Sequence, residues 1–398
     1  VHLVVTQLGH IEHYRYFFEH LDDPAWIPAL RTEGIFNAPP SVEPTAIPHW
    51  AASEFLVRVI DRGDPTEGMK ALSQVADALA QQPSVNPLVI RDVVNVLRKV
   101  PAEHSVSFVP RLKRWAHHDR GFLFWRRLGK LVTHLAEGGK PQEALTLLTP
   151  LLAIEEVRAA DDSEYSYKPV KPKISMYEYI QIMDEHVRPV LERAGGELFD
   201  VLCNILQRAA KLSRRSRSSE EWDDNSSVWQ PDLSIQDEDD RDDVRSVLVV
   251  TTRDTAETLL NDGRVDIGHM VECLEARRWL IFRRLTLYCV VTTASAPRDL
   301  IVPRLTHEPS FRDSNLRKEY DLLLHVGFTH LTPDEQQTIL SWVEAGPENV
   351  EERIRNYEVS TGRVATHEEI DKHRRSWQWK RLWPCRTALP ATWQERYA

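Results

Sequence analysis

Three tetrapeptides constrain this chain more than any other feature, because each writes the start of a helix. Asp64-Pro65-Thr66-Glu67 supplies a capping carboxylate, then proline at the first helical position, where a missing N–H costs nothing, then a glutamate placed to reach back to the cap. Thr332-Pro333-Asp334-Glu335 repeats that order, and Thr366-His367-Glu368-Glu369 keeps the capping box without the proline. Asp23-Pro24 predicts a further start, with Gly34 as its stop. Between such marks the apolar residues keep helical spacing. Leu316, Tyr320, Leu323 and Leu324 follow i, i+4, i+7, i+8; Val244, Val247, Leu248 and Thr251 follow i, i+3, i+4, i+7. The 15 glycines gather at breaks such as Gly138-Gly139 and Gly195-Gly196, and the 24 prolines sit mostly where helices would begin or connect.

The competing reading is α/β. Ser246 to Thr252 and Tyr288 to Thr293 are β-branched runs with the composition of buried parallel strands. Each lies inside a longer segment that keeps the helical period and lacks turn residues, so helix is expected in both. Trp125, Leu128, Gly129 and Val132, then the break Gly138 to Pro141, then Ala144, Leu147, Leu148 and Leu151 resemble a tetratricopeptide hairpin, with a gap about one helical turn too long. No strict period recurs elsewhere. The expected fold is therefore all-α, an irregular α-solenoid of HEAT- or tetratricopeptide-like helix pairs of about 40 residues each. Residues 1–160 read as N-terminal helical repeats, 176–212 as connecting helices and 244–398 as C-terminal repeats. Between them, 213–243 segregates its charge into Arg214-Arg215-Ser216-Arg217 and the acidic runs Glu220-Glu221 and Glu238 to Asp243, the pattern of an acidic, low-complexity stretch that is either a mobile linker or a long loop.

Several kinds of chemistry are excluded or disfavoured by what is written. There is no GxxxxGK[ST] and no GxGxxG, no GxSxG and no HExxH. His367 and His373, six apart, point about 120° from one another on a helix and grip one ion poorly. His10, Glu12, His13 and His20 raise the question of a metal or a general base, but the aromatics around them favour histidines that pack on a helix. His117-His118-Asp119 reads as the polar end of a helix. Four cysteines with no CxxC pair argue against a structural zinc and against a disulfide scaffold, and suit a reducing cytoplasm; none has a histidine beside it in sequence that would activate a thiolate. No apolar run approaches the length of a membrane span. A cytoplasmic, non-catalytic protein with no metal and no cofactor is expected.

The positive signal is a set of basic-aromatic clusters. Arg111, Arg114, Arg126 and Arg127 interleave with Trp115, Phe124 and Trp125; Arg374, Arg375 and Arg381 interleave with Trp377, Trp379 and Trp383. Arg277-Arg278 and Arg283-Arg284 flank Trp279 and Phe282. Such mixtures can clamp phosphates and stack on bases, which would make an array for single-stranded nucleic acid. Against this stand 60 acidic residues to 50 basic ones, and the habit of helix seams to fill with aromatics while arginines line the rim. Packing is the favoured reading. The candidate ligand contacts are Arg111, Arg114, Arg126, Arg127, Arg374, Arg375, Trp379 and Arg381, and the favoured partner is a protein or further domains of the same polypeptide.

Tyr16 to Leu30, followed by Gly34-Ile35-Phe36 and Pro39-Pro40, together with Ile47 to Trp50 and Phe282 to Leu285, resemble helical regions of large bacterial anti-phage defence proteins, in which an NTPase or nuclease domain precedes a HEAT- or tetratricopeptide-like array. The resemblance implies a sensor or scaffold portion and carries over no catalytic residue. Val1 stands where a start methionine would be, which reads as a piece of a longer chain.

Overall fold

The computed structural model describes residues 11–40, 48–82, 84–118, 122–157, 170–213, 224–234, 242–294 and 296–397. These residues are all-α apart from two short paired strands, β1 (Ile154–Glu156) and β2 (Val170–Pro172). The chain divides into two compact units: Val1–Glu155 with Lys171–Val201, and Glu156–Val170 with Leu202–Ala398. That division falls within a helix, Gly196–Ser213, rather than at the charged stretch expected to separate the repeats. No helix of the described residues is long and apolar enough to cross a membrane.

The first unit holds α1 (Ile11–His20), α2 (Ile27–Thr32), α3 (Ala51–Val59), α4 (Pro65–Ala80), α5 (Pro87–Leu97), α6 (Ala102–Ser105), α7 (Val109–His118), α8 (Phe122–Glu137), α9 (Pro141–Leu151), α10 (Met176–Ala194) and the start of α11 (Gly196–Ser213). Asp64 caps α4 through the Thr66 N–H at 2.8 Å, as its tetrapeptide predicts. Glu67 does not complete the box; Lys70 at 2.7 Å and Arg31 at 3.2 Å hold its carboxylate instead. Helices α1, α3, α5, α8 and α10 pack in succession, each on the next, and α9 packs on α7, α8 and α10. The residues read as a hairpin face, Trp125, Leu128, Val132, Ala144, Leu147, Leu148 and Leu151, are all buried. Gly129 answers to a different neighbour. A methyl group there would meet the His186 ring of α10 at 2.3 Å, so it is the third helix that requires glycine.

The second unit continues with α12 (Ser226–Trp229), α13 (Val244–Asn261), α14 (Ile267–Glu275), α15 (Leu280–Thr292), α16 (Arg298–Leu305), α17 (Glu308–Arg312), α18 (Arg317–Gly327), α19 (Pro333–Ala345), α20 (Val350–Thr361), α21 (His367–Leu382), a 3₁₀ segment (Trp383–Ala388) and α22 (Ala391–Tyr397). Both β-branched runs are helical, in α13 and α15. Their threonine hydroxyls bond back to carbonyls one turn earlier, Thr252 to Leu248 at 2.7 Å and Thr292 to Tyr288 at 3.0 Å, so the threonines of a well-buried helix keep their hydroxyls bonded. The capping boxes of Thr332 with Glu335 and Thr366 with Glu369 both form. The core here runs from α15 through Phe311, Tyr320 and Phe328 to Leu382 and Cys385.

One expectation needs correcting. Within the stretch read as a mobile linker or a long loop, residues 224–234 form a packed strap. Asp224 and Ser226 are fully buried, and Leu233 is 1% exposed. Residues 214–223 and 235–241 of that stretch lie outside the described residues.

Candidate functional site

The strap is held by charge because it has few apolar side chains to bury. Asp224 accepts the Ser226 N–H through Oδ1 at 2.8 Å and, through Oδ2, the Ile281 N–H at 2.9 Å, so a distant carboxylate serves the open N-terminus of α15. Three arginines complete the hold. Arg284 donates to the carbonyls of Ser226 and Gln230 at 2.8 and 2.7 Å, Arg253 donates to the Leu233 carbonyl, and Arg245 lies over the Trp229 ring at 4.4 Å. Burial pulls the Arg245 guanidinium down to about 10.

The strap thereby forms one side of a cleft of about 420 Å³. Leu233, Leu322, Pro384 and Trp383 give it apolar surface, and Asp232, Glu319 and Asp321 give it carboxylates. Asp232 pairs with Lys318 at 3.6 Å and Asp321 with Arg317 at 3.2 Å. Burial raises the Asp321 carboxyl above its usual range, opposed by the charges of Arg317 and Arg381. Tyr288 donates to Glu257 at 2.8 Å, and burial with that bond pushes its phenol up to about 12, which keeps it protonated. A second cleft of about 390 Å³ shares Trp383 and Arg386 with the first and adds Trp379, Leu382 and Leu389. Between the two clefts runs an aromatic ledge. Trp379 and Trp383, one helical turn apart, pack with centroids 4.6 Å apart and planes tilted by 41°, and the Arg386 guanidinium lies 3.8 Å from the Trp383 ring centre. Both indoles remain exposed, at 43% and 47%. A third cavity, of about 380 Å³, is lined by Val350, Ile354, Tyr357 and Ile370 with Arg374 and Glu369.

The sequence-predicted contacts divide between the two units. Arg111, Arg114, Arg126 and Arg127 belong to the first unit; Arg374, Arg375, Trp379 and Arg381 belong to the second. Arg111 is bound to Asp77 at 2.5 Å and lies over Phe108; Arg127 donates to Asn95 at 2.6 Å. Arg374 donates to the Glu344 carbonyl at 2.7 Å, while Arg114, Arg126 and Arg375 are exposed. Arg381 cannot meet a ligand as the protein stands. It is 4% exposed and sits over Phe311 and Trp377 on the inner face of α21, where burial pulls it down to about 10. Of the eight, Trp379 belongs to the ledge. Trp383 stood in the basic-aromatic cluster but not among the candidate contacts, and Arg386 was in neither; the i, i+4 step from Trp379 to Trp383 at a helix end was the available signal.

The histidine groupings also disperse. His20 stacks on Tyr16 at 4.1 Å and contacts the Tyr16 carbonyl at 2.8 Å, while His13 and Glu12 are exposed. His10 and the side chains of His117 and His118 lie outside the described residues. Among the described residues no three His, Cys, Asp or Glu are grouped to hold a metal. One cysteine does have a histidine partner: Cys273 Sγ is 3.6 Å from His269 Nε2, one turn earlier in α14. A four-residue step along the helix, not adjacency in sequence, brings the pair together. The chain matches no protein-family model, no curated protein and no solved structure.

Proposed function

We propose that this chain is a non-catalytic helical module that recognises a protein partner through the Trp379–Trp383–Arg386 ledge and the two clefts beside it. One observation carries this reading. Two indoles packed against each other stand nearly half exposed next to concave apolar surface, where tryptophan and arginine are the residues that anchor interfaces. Each indole withdraws a large apolar area when covered, so a partner seated there gains from contacts that the free chain lacks. The resemblance to defence-protein helical regions supplies the setting, a sensor or scaffold portion in a bacterial anti-phage system.

The rival reading, a single-stranded nucleic-acid array, is disfavoured by the arginines themselves. Arg111, Arg374 and Arg381 are engaged with acceptors or rings of their own unit, and Arg386 already covers Trp383. The two readings separate in one experiment. Tagged chain is recovered from its own cells, with and without phage challenge, alongside W379A and W383A variants. The expected result is one protein at near-stoichiometric amount, retained at about 200 mM salt and lost from both variants. Nuclease-sensitive, salt-labile material in its place, or a partner indifferent to both substitutions, overturns the proposal.

A further inference from the structure

Helices α5, α8 and α10 of the first unit are successive neighbours and bring several cations onto one surface. Arg127 Nη1 on α8 donates to Asn95 Oδ1 on α5 at 2.6 Å. Arg98 follows Asn95 by three residues at the end of the same helix, so the two side chains share a side; Lys130 stands in the same relation to Arg127. On the flank toward α10, Thr133 meets His186 Nδ1 at 2.9 Å and Gly129 lies against the His186 ring. The charges of Lys130 and Arg98 both reach that imidazole. Burial, and after it the charge of Arg127, holds the Arg98 guanidinium below its ordinary range.

These cations lack the counter-charges that their neighbours have. In the same unit Arg31 is paired with Glu67, Arg91 with Asp92 and Arg111 with Asp77. Arg98 is half-buried, yet among the described residues neither its guanidinium nor the Lys130 ammonium has a hydrogen-bond or ion-pair partner. Arg127 has a neutral amide. The carboxylate on this surface is Glu185, 3.8 Å from His186 Nε2 and 45% exposed. Two forked guanidiniums and an ammonium on two adjacent helices repel, and a multiply charged oxyanion relieves that repulsion while using their N–H groups in pairs.

We propose that Arg98, Arg127 and Lys130 form a site for a phosphoryl group. The geometry favours phosphate over a single carboxylate because three cations on two helices match an anion with several acceptor oxygens better than one with two. The site stands in the first unit and is independent of the aromatic ledge.

The test titrates the full chain with pyrophosphate and, separately, with a short single-stranded oligonucleotide, by calorimetry in low-chloride buffer. Saturable pyrophosphate binding is expected, weakened at least about tenfold by R98Q and by R127Q and unchanged by R15Q, whose arginine serves Glu19 on α1. A thermal scan without anion supplies the second reading. If Arg98 is held against repulsion, R98Q melts higher than the wild type in phosphate-free buffer. If it merely stabilises the end of α5, R98Q melts lower. Oligonucleotide binding with the same R98Q sensitivity assigns the phosphoryl group to a nucleic-acid backbone, and binding of pyrophosphate alone assigns it to a small phosphate ester. No saturable binding of either probe up to roughly 10 mM overturns the proposal. So does binding indifferent to R98Q and R127Q.

Discussion

Arg284 gives both Nε and Nη2 to a single oxygen of Glu319, at 3.1 and 2.5 Å, while the other carboxylate oxygen, buried with it, has no hydrogen-bond partner among the described residues. A bidentate pair would use both oxygens. Here the guanidinium is turned so that Nη1 can hold the Ser226 and Gln230 carbonyls, and the ion pair is subordinate to anchoring the strap. Arg284 is 1% exposed, so removing it strands a buried carboxylate. Arg284→Met is expected to cost about 3–5 kcal/mol in urea denaturation, and the double variant R284M/E319L to recover most of it. Hydrogen exchange at the amides of 226–229 should accelerate in R284M. A strap that stays protected in R284M would show that Asp224 and Arg253 suffice to hold it.

His186 sets a pH dependence of known sign. Burial lowers its pKa; Glu185 opposes this, and Lys130 and Arg98 reinforce it. The folded imidazole therefore binds a proton less readily than the unfolded one. The unfolded state takes up more protons as pH falls through its ordinary value near 6.5, and stability drops with it. Asp92 and Asp321, whose carboxyls burial raises, contribute with the opposite sign, at the lower pH where carboxylates titrate. The chain is thus expected to melt lower at pH 5.5 than at 7.5, and His186→Asn to flatten that difference. An unchanged slope in the variant would place the proton uptake elsewhere.

Much of the fold is legible in the sequence because helix starts are local events. Asp64, Thr332 and Thr366 each cap the helix that their tetrapeptides announce, and the β-branched runs of α13 and α15 obey their periodicity rather than their propensity. The strap was illegible for the opposite reason. Its partners Arg253, Ile281 and Arg284 are 20 to 58 residues away in sequence, and charge-rich composition reads as solvated until those partners are known. The site was half legible. Aromatics and arginines interleaved along α21 mark a busy surface, but which of them face out depends on the register against Phe311, and that register buries Arg381 while exposing Trp379 and Trp383.

Gly129 makes the packing of α8 on α10 testable without touching a polar group. An added Cβ lands 2.3 Å from His186 Cδ2 and 2.6 Å from Nε2, on a ring that Thr133 fixes from its other side. Gly129→Ala should therefore destabilise by about 1–3 kcal/mol, since the ring must shift or the helices must part. Gly196, at the start of α11, has nothing within 4 Å of the corresponding position. Gly196→Ala is expected to be neutral or to stabilise by a few tenths to about 1 kcal/mol through the unfolded chain. Equal effects at the two positions in urea denaturation would contradict the close approach of α8 to α10.

The four thiols should divide by accessibility and by partner. Cys203, Cys289 and Cys385 are buried, and burial pushes the Cys289 and Cys385 thiols up to about 12, where almost no thiolate exists at neutral pH. Cys273 is partly exposed on α14, and His269 Nε2 stands 3.6 Å from its sulfur while Nδ1 lies 3.9 Å from the Glu272 carboxylate. With Nε2 unprotonated, the thiol can donate a hydrogen bond to the ring. With an aromatic disulfide reagent at neutral pH, the native chain should release one equivalent quickly and the remaining three only on unfolding. Cys273→Ser should abolish the fast phase, and His269→Ala should slow it without changing its amplitude. A fast phase that survives C273S would mean that one of the buried thiols is exposed by local opening, and the rate in H269A decides whether the histidine is a partner or a bystander.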